Sequence, residues 1–102
     1  MDKIKLQDTK ECYLCRIFGG DGICLPNVGL ENHHIFYGTA NRKNSDKYGL
    51  VVWLCHGHHR TWKSAVHRCK ESDAIVKRNA QMKFEEEYSR EEFVDIFGKS
   101  WV

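Results

Sequence analysis

Two short pairs of sulfur and imidazole ligands constrain this chain more than its apolar pattern does. Cys12-Tyr13-Leu14-Cys15 is a Cys-x-x-Cys knuckle, and forty residues further on Cys55-His56-Gly57-His58 supplies Cys-x-x-His. A two-residue spacer lets both ends of a pair reach one ion, and two such pairs make a tetrahedral Cys3His zinc site. Either pair alone is a weak signal; together, in a chain of 102 residues, they are a strong one. Two buried apolar cysteines beside surface histidines would leave the repeated spacer unexplained. Thioredoxin-like redox chemistry would need a βαβ pattern around Cys12 and Cys15, and none is visible.

A chain of this length, 41% apolar, holds one domain with a modest core. Small domains of this kind often need a staple beyond hydrophobic burial, and five Cys with six His offer one. The net charge of +2 excludes a polybasic protein that binds nucleic acid by bulk charge, so any anion-binding face must be local. Met1-Asp2-Lys3-Ile4-Lys5-Leu6-Gln7-Asp8 has no apolar signal region, and no stretch approaches membrane-spanning length. A cytoplasmic protein without a membrane partner is therefore expected, in a compartment where thiols bind metals rather than pair. Charge changes sign near residue 70: residues 1–70 carry 11 basic and 6 acidic side chains, residues 71–102 carry 5 and 8. Every Cys and His lies in the first part, which places the chemistry there and leaves the acidic remainder as support.

Turn signals at Gly19-Gly20-Asp21-Gly22 and Pro26-Asn27-Val28-Gly29 leave room for short strands around Ile23 to Leu25 and Leu30 to Tyr37. Gly49 opens a further apolar run, Leu50 to Leu54, read as another strand or an extended approach to Cys55. The His-rich segment after Cys55 reads as a short helix ending near Trp62 or Lys63. From Glu71 onward, with Ser72 as N-cap, Val76, Ala80, Phe84 and Tyr88 fall at helical spacing and predict one long helix. Ser89 and Glu92 have capping-box spacing before a second helix that Gly98 stops. The expected class is α+β.

A second constellation is Asn32-His33-His34-Ile35-Phe36-Tyr37 with His59 and, further on, His67. Successive strand residues point to opposite faces, so His33 and His34 take different roles. With His33 turned toward the helix that carries His59, those two imidazoles hold a metal, and His34 is left as a general base near neutral pH.

On these stretches the chain resembles the HNH endonuclease family. The matching segments are Cys12 to Cys15, Leu30-Glu31-Asn32-His33-His34-Ile35 and Leu54-Cys55-His56-Gly57-His58-His59. It looks most like the small HNH proteins of phages and prophages of Gram-positive bacteria, a likeness that extends through Gly38 to Arg42, Lys47 to Leu50, Val66-His67 and Ala80-Gln81 to Phe97-Gly98. The resemblance implies a single domain over 1–102, with a zinc knuckle and ββα-metal core over 12–70 and two supporting helices over 71–102. It implies His34 as the base that activates water, and His33, His59 and His67 as ligands of one catalytic divalent ion, Mg²⁺, Mn²⁺, Ni²⁺ or Zn²⁺. Cys12, Cys15, Cys55 and His58 would hold a separate structural zinc, with no organic cofactor. DNA is the implied partner, together with phage packaging proteins in a bacterial host cell, and cleavage would leave 5′-phosphate and 3′-hydroxyl ends.

Three positions depart from the family pattern. His67 lies eight residues after His59, about 12 Å along an uninterrupted helix, so either the helix breaks near Lys63-Ser64-Ala65 or His67 is not a ligand. Ala65 and Cys69 stand where the phage relatives tend to have Gly and Asn. Leu50 falls near the place of the family's middle Asn, leaving Asn41 or Asn44 as looser candidates. Among the basic residues near the motifs, Arg42 and Arg60 lie closest and are expected to grip phosphates. Nothing reads bases in a groove, so strong sequence specificity is not expected. The alternative is a non-catalytic zinc-stabilised binding or adaptor module, which has no use for a spare imidazole at position 34.

Overall fold

Gly29, with φ +63°, turns the chain into β1 (Leu30–His34), and the apolar run after Gly49 forms β2 (Val51–Cys55). The two strands pair as an antiparallel sheet in this computed structural model, which describes residues 3–18 and 29–102. Beyond the strand ends the Ile35 amide still donates to the Leu50 carbonyl at 3.1 Å. The expected strand around Ile23 to Leu25 lies outside the described residues. In chain order the helical elements are α1 (Tyr13–Phe18), α2 (Thr39–Tyr48), a π-helical turn over Gly57–Thr61, α3 (Lys70–Phe84) and α4 (Arg90–Phe97). The result is a small mixed α/β architecture. None of the described helices is long and apolar enough to cross a membrane.

By its internal contacts the chain divides into two units: Met1–Leu6, His34–Val51 and Ala74–Val102 form one, Gln7–His33 and Val52–Asp73 the other. The first has an aromatic core. Phe36, Phe84, Phe93 and Phe97 are buried, with Phe36 and Phe97 ring centroids 4.6 Å apart and Phe84 and Phe93 5.4 Å apart. Val76, Ala80 and Phe84 bury completely at the helical spacing read from the sequence. The helix itself starts two residues before Ser72, which is buried inside it, and stops at Phe84 rather than running through Tyr88. Tyr88 instead stacks on Phe84 at 4.5 Å from beyond a turn. At α4 the capping box of Ser89 and Glu92 forms and Gly98 closes the helix with φ 96°.

Helix α2, TANRKNSDKY, has no apolar stripe for periodicity to detect and is not among the expected elements. Polar contacts fix it instead. Buried Ser45 accepts from the Phe36 amide at 2.9 Å and donates to the Phe36 carbonyl at 2.8 Å. Asn41 and Asn44 donate to the Phe97 and Ile96 carbonyls, orphan acceptors at the end of α4. Gly49 ends the helix at φ 79°, where a Cβ would stand 2.3 Å from the Ile4 carbonyl oxygen. At its other end β1 stops at His34, short of Tyr37, since the Phe36 backbone is already bonded by Ser45.

Ser45→Ala leaves the Phe36 amide and carbonyl buried without those partners, which costs about 1–3 kcal/mol. The exposed cap variant Ser89→Ala should lose about 1 kcal/mol. Urea denaturation of both should place Ser45→Ala at or above the cap variant in cost.

Candidate metal centres

In the second unit Cys12 leads into α1 and Cys55 ends β2, so each knuckle sits where a regular element turns into the next. The Cys15 amide points at Cys12 Sγ and the His58 amide at Cys55 Sγ, both at 3.4 Å, so each pair places a backbone donor on its own sulfur. A tetrahedral ion holding sulfur at about 2.3 Å and nitrogen at about 2.0–2.1 Å separates two sulfurs by about 3.8 Å and sulfur from nitrogen by about 3.5 Å. Cys15 and Cys55 Sγ are 3.8 Å apart. His58 Nδ1 lies 3.5 Å from Cys12 Sγ, 3.3 Å from Cys15 Sγ and 3.5 Å from Cys55 Sγ. All four residues are buried and lie close enough to bind one metal, in a set compatible with structural zinc.

The surroundings hold the His58 ring in place. Phe18 and Trp62 approach it edge-on at 5.8 and 4.9 Å. Trp62 lies directly over Gly57, where a Cβ would come within 2.3 Å of the indole. Burial pushes the Cys55 thiol above its usual range, partly offset by the His58 amide hydrogen bond.

A second cluster lies in the same unit. His33 projects from β1 and His59 from the π-helical turn, both buried; His67, itself exposed, follows the buried Ala65 and Val66. The helix breaks earlier than Lys63: the turn ends at Thr61, Trp62 is extended at φ −78°, ψ 161°, and the chain folds back. The Val66 and His67 amides then donate to the His58 and His59 carbonyls at 2.8 and 3.4 Å, and Arg68 reaches the Thr61 carbonyl. That reversal removes the 12 Å span of a continuous helix. His59 and His67 face each other through Nε2 at 3.2 Å, where two nitrogens on one tetrahedral ion would stand about 3.3 Å apart. The three imidazoles offer nitrogens within 4.8 Å of one another.

Glu31 is the residue that sequence reasoning quoted without giving it a role. Its Oε1 accepts from His59 Nδ1 at 2.7 Å, and Oε2 lies 3.3 Å from His56 Nδ1. The His59 hydrogen bond, more than His56, holds its carboxyl below the usual range. The signal was available: two residues along a strand, Glu31 shares a face with His33.

The remaining candidates are members of neither cluster. His34, half-buried in the first unit, has Nε2 3.7 Å from Asp46 Oδ1, beyond hydrogen-bond length. Arg42 and Arg60 are exposed, on α2 and on the π-helical turn. Asn41 and Asn44 are committed to the end of α4. No family model, characterised protein or solved structure matches the chain.

Reduced protein should take up one Co²⁺ or Zn²⁺ at the Cys3His cluster, read by cobalt–thiolate absorption, and Cys12→Ser should lose both the absorption and a large part of the melting temperature. Because burial favours the protonated Cys55 thiol, the ion must displace that proton, and affinity should fall as pH falls. Unchanged zinc content in Cys12→Ser would refute the ligand set.

Proposed function

We propose that the chain is a metal-dependent DNA endonuclease or nickase of the HNH type, built on a ββα-metal core. The observation that carries this reading is the three-imidazole cluster of His33, His59 and His67, spaced for one ion, with His34 the next residue along the strand from His33. Two paired strands, with α2 inserted between them, lead into a short helical turn, and the placement of His33 on the first strand and His59 on the turn supports the reading further. So does the resemblance carried by the Cys and His motifs, which also favours a role in phage DNA processing or packaging.

His33, His59 and His67 would hold the catalytic ion. When bound, a divalent ion there supplies Lewis-acid stabilisation of the leaving 3′ oxygen. His34 takes a proton from water, the water oxygen bonds to phosphorus, and the bond to the 3′ oxygen breaks. That oxygen leaves and is protonated, giving 5′-phosphate and 3′-hydroxyl ends. With Nε2 turned toward Asp46 at 3.7 Å, His34 would take the water proton at Nδ1. Arg42 and Arg60, both exposed, would hold the DNA backbone.

Supercoiled plasmid incubated with the protein and Mg²⁺, Mn²⁺ or Ni²⁺ tests the reading. Wild type should nick or linearise it. His34→Ala should keep its metal and lose about 10²- to 10⁴-fold in rate, as removal of a general base does. His33→Ala should lose metal occupancy and cleavage together. A wild type inert with every ion and DNA form would favour the non-catalytic zinc module instead.

A further inference from the structure

The position of Glu31 between two histidines has a chemical consequence for the three-imidazole cluster. An imidazole binds a metal through one nitrogen only when that nitrogen carries a lone pair, and the other nitrogen's hydrogen bond decides which one it is. His59 is almost fully enclosed, its side chain 8% exposed, so its ring has few alternative orientations. The 2.7 Å contact to a carboxylate, which only accepts, requires His59 Nδ1 to be the donor. The proton on neutral His59 is thereby placed at Nδ1, and Nε2, the atom facing His67 at 3.2 Å, is left as the lone pair. Glu31 sits on the same strand face as His33, so one short strand delivers both a ligand and the group that orients a second ligand. Its other oxygen faces His56, exposed and outside both four-atom and three-atom clusters.

We propose that Glu31, braced by His56, is the positioning residue of the second metal centre: it fixes the Nδ1-protonated tautomer of His59 and aims Nε2 at the ion. The proposal deepens the reading of that centre as the catalytic one and rests on it for its biological meaning, while its physical content is metal affinity and tautomer. His56, one residue past Cys55 in the knuckle, then gains a role distinct from that of His58. Glu31 touches neither substrate nor ion in this scheme.

The test uses the full chain with zinc first loaded on the Cys3His cluster and Co²⁺ then titrated into the second. Glu31→Ala should lose about 10- to 100-fold in Co²⁺ affinity, the range found when outer-shell partners of metal-bound histidines are removed. Glu31→Gln, whose amide oxygen still accepts from Nδ1, should recover part of that loss. His56→Ala should cost less than Glu31→Ala. Nitrogen-15 NMR of the cobalt-free protein should show His59 as the Nδ1–H tautomer in wild type and Glu31→Gln and as a mixture of tautomers in Glu31→Ala, a change that a merely structural role would not produce. Wild-type Co²⁺ affinity and an unchanged tautomer in Glu31→Ala would overturn the proposal, as would a wild type that takes up no second ion. Because neither measurement involves DNA, a protein that shows the Glu31 effect yet cuts no DNA would retain the positioning role and lose the nuclease reading. One that cuts DNA with no Glu31 effect would do the reverse.

Discussion

Bringing Cys12 and Cys15 onto Cys55 and His58 closes a loop of about forty residues, and everything else in that unit depends on the closure. The length-dependent entropy of such a loop is about 3 kcal/mol. Apolar burial gives it modest help: the buried apolar residues of the unit among those described are Cys12, Leu14, Cys15, Val52, Leu54, Cys55, Ala65 and Val66, with no aromatic ring among them. A structural zinc at such a set is worth about 10–16 kcal/mol, several times the cost of closing the loop. With zinc bound, coordination rather than hydrophobic area would be the interaction large enough to hold this unit.

The other unit follows the opposite rule. Its phenylalanines form a ring-to-ring core, and its polar residues finish what the rings begin. Gln81, fully buried, donates to Glu85 and Ser100 and accepts from the Trp101 amide at 2.6 Å, tying the end of the chain to α3. Lys77, also buried, places its ammonium 4.4 Å from the Tyr37 ring and 4.6 Å from that of Trp101. The acidic surplus of residues 71–102 is carried largely by exposed positions such as Glu86, Glu87 and Glu91, which leaves this core apolar.

What the sequence disclosed depended on whether the signal was local. The two knuckles are legible because their ligands are three residues apart within each pair, and the caps of α4 because Ser89, Glu92 and Gly98 act within one helix. Helix α2 was invisible because its support comes from Phe36, nine residues before Ser45, and from the far end of α4, contacts that no helical repeat encodes. Helix α1 is only six residues long, too short for a periodic pattern. The place of His67 was undecidable from spacing alone, since it turned on whether the helix broke. Trp62 adopts the extended backbone that breaks it. Glu31 went unassigned because nothing in a run of residues says that a strand carboxylate will meet an imidazole twenty-eight positions later.

His58 and His59 are consecutive, yet one belongs to the Cys3His cluster and the other to the three-histidine cluster. A single peptide bond joins them, and their carbonyls receive the amides of Val66 and His67 side by side. An ion that immobilises His58 therefore also restricts the backbone from which His59 projects, and the entropy spent in ordering that turn is spent once for both sites. By thermodynamic reciprocity, whatever factor the first ion adds to affinity for the second, the second returns to the first. Metal loading in this protein would then be a cooperative property of one dipeptide rather than the sum of two independent equilibria.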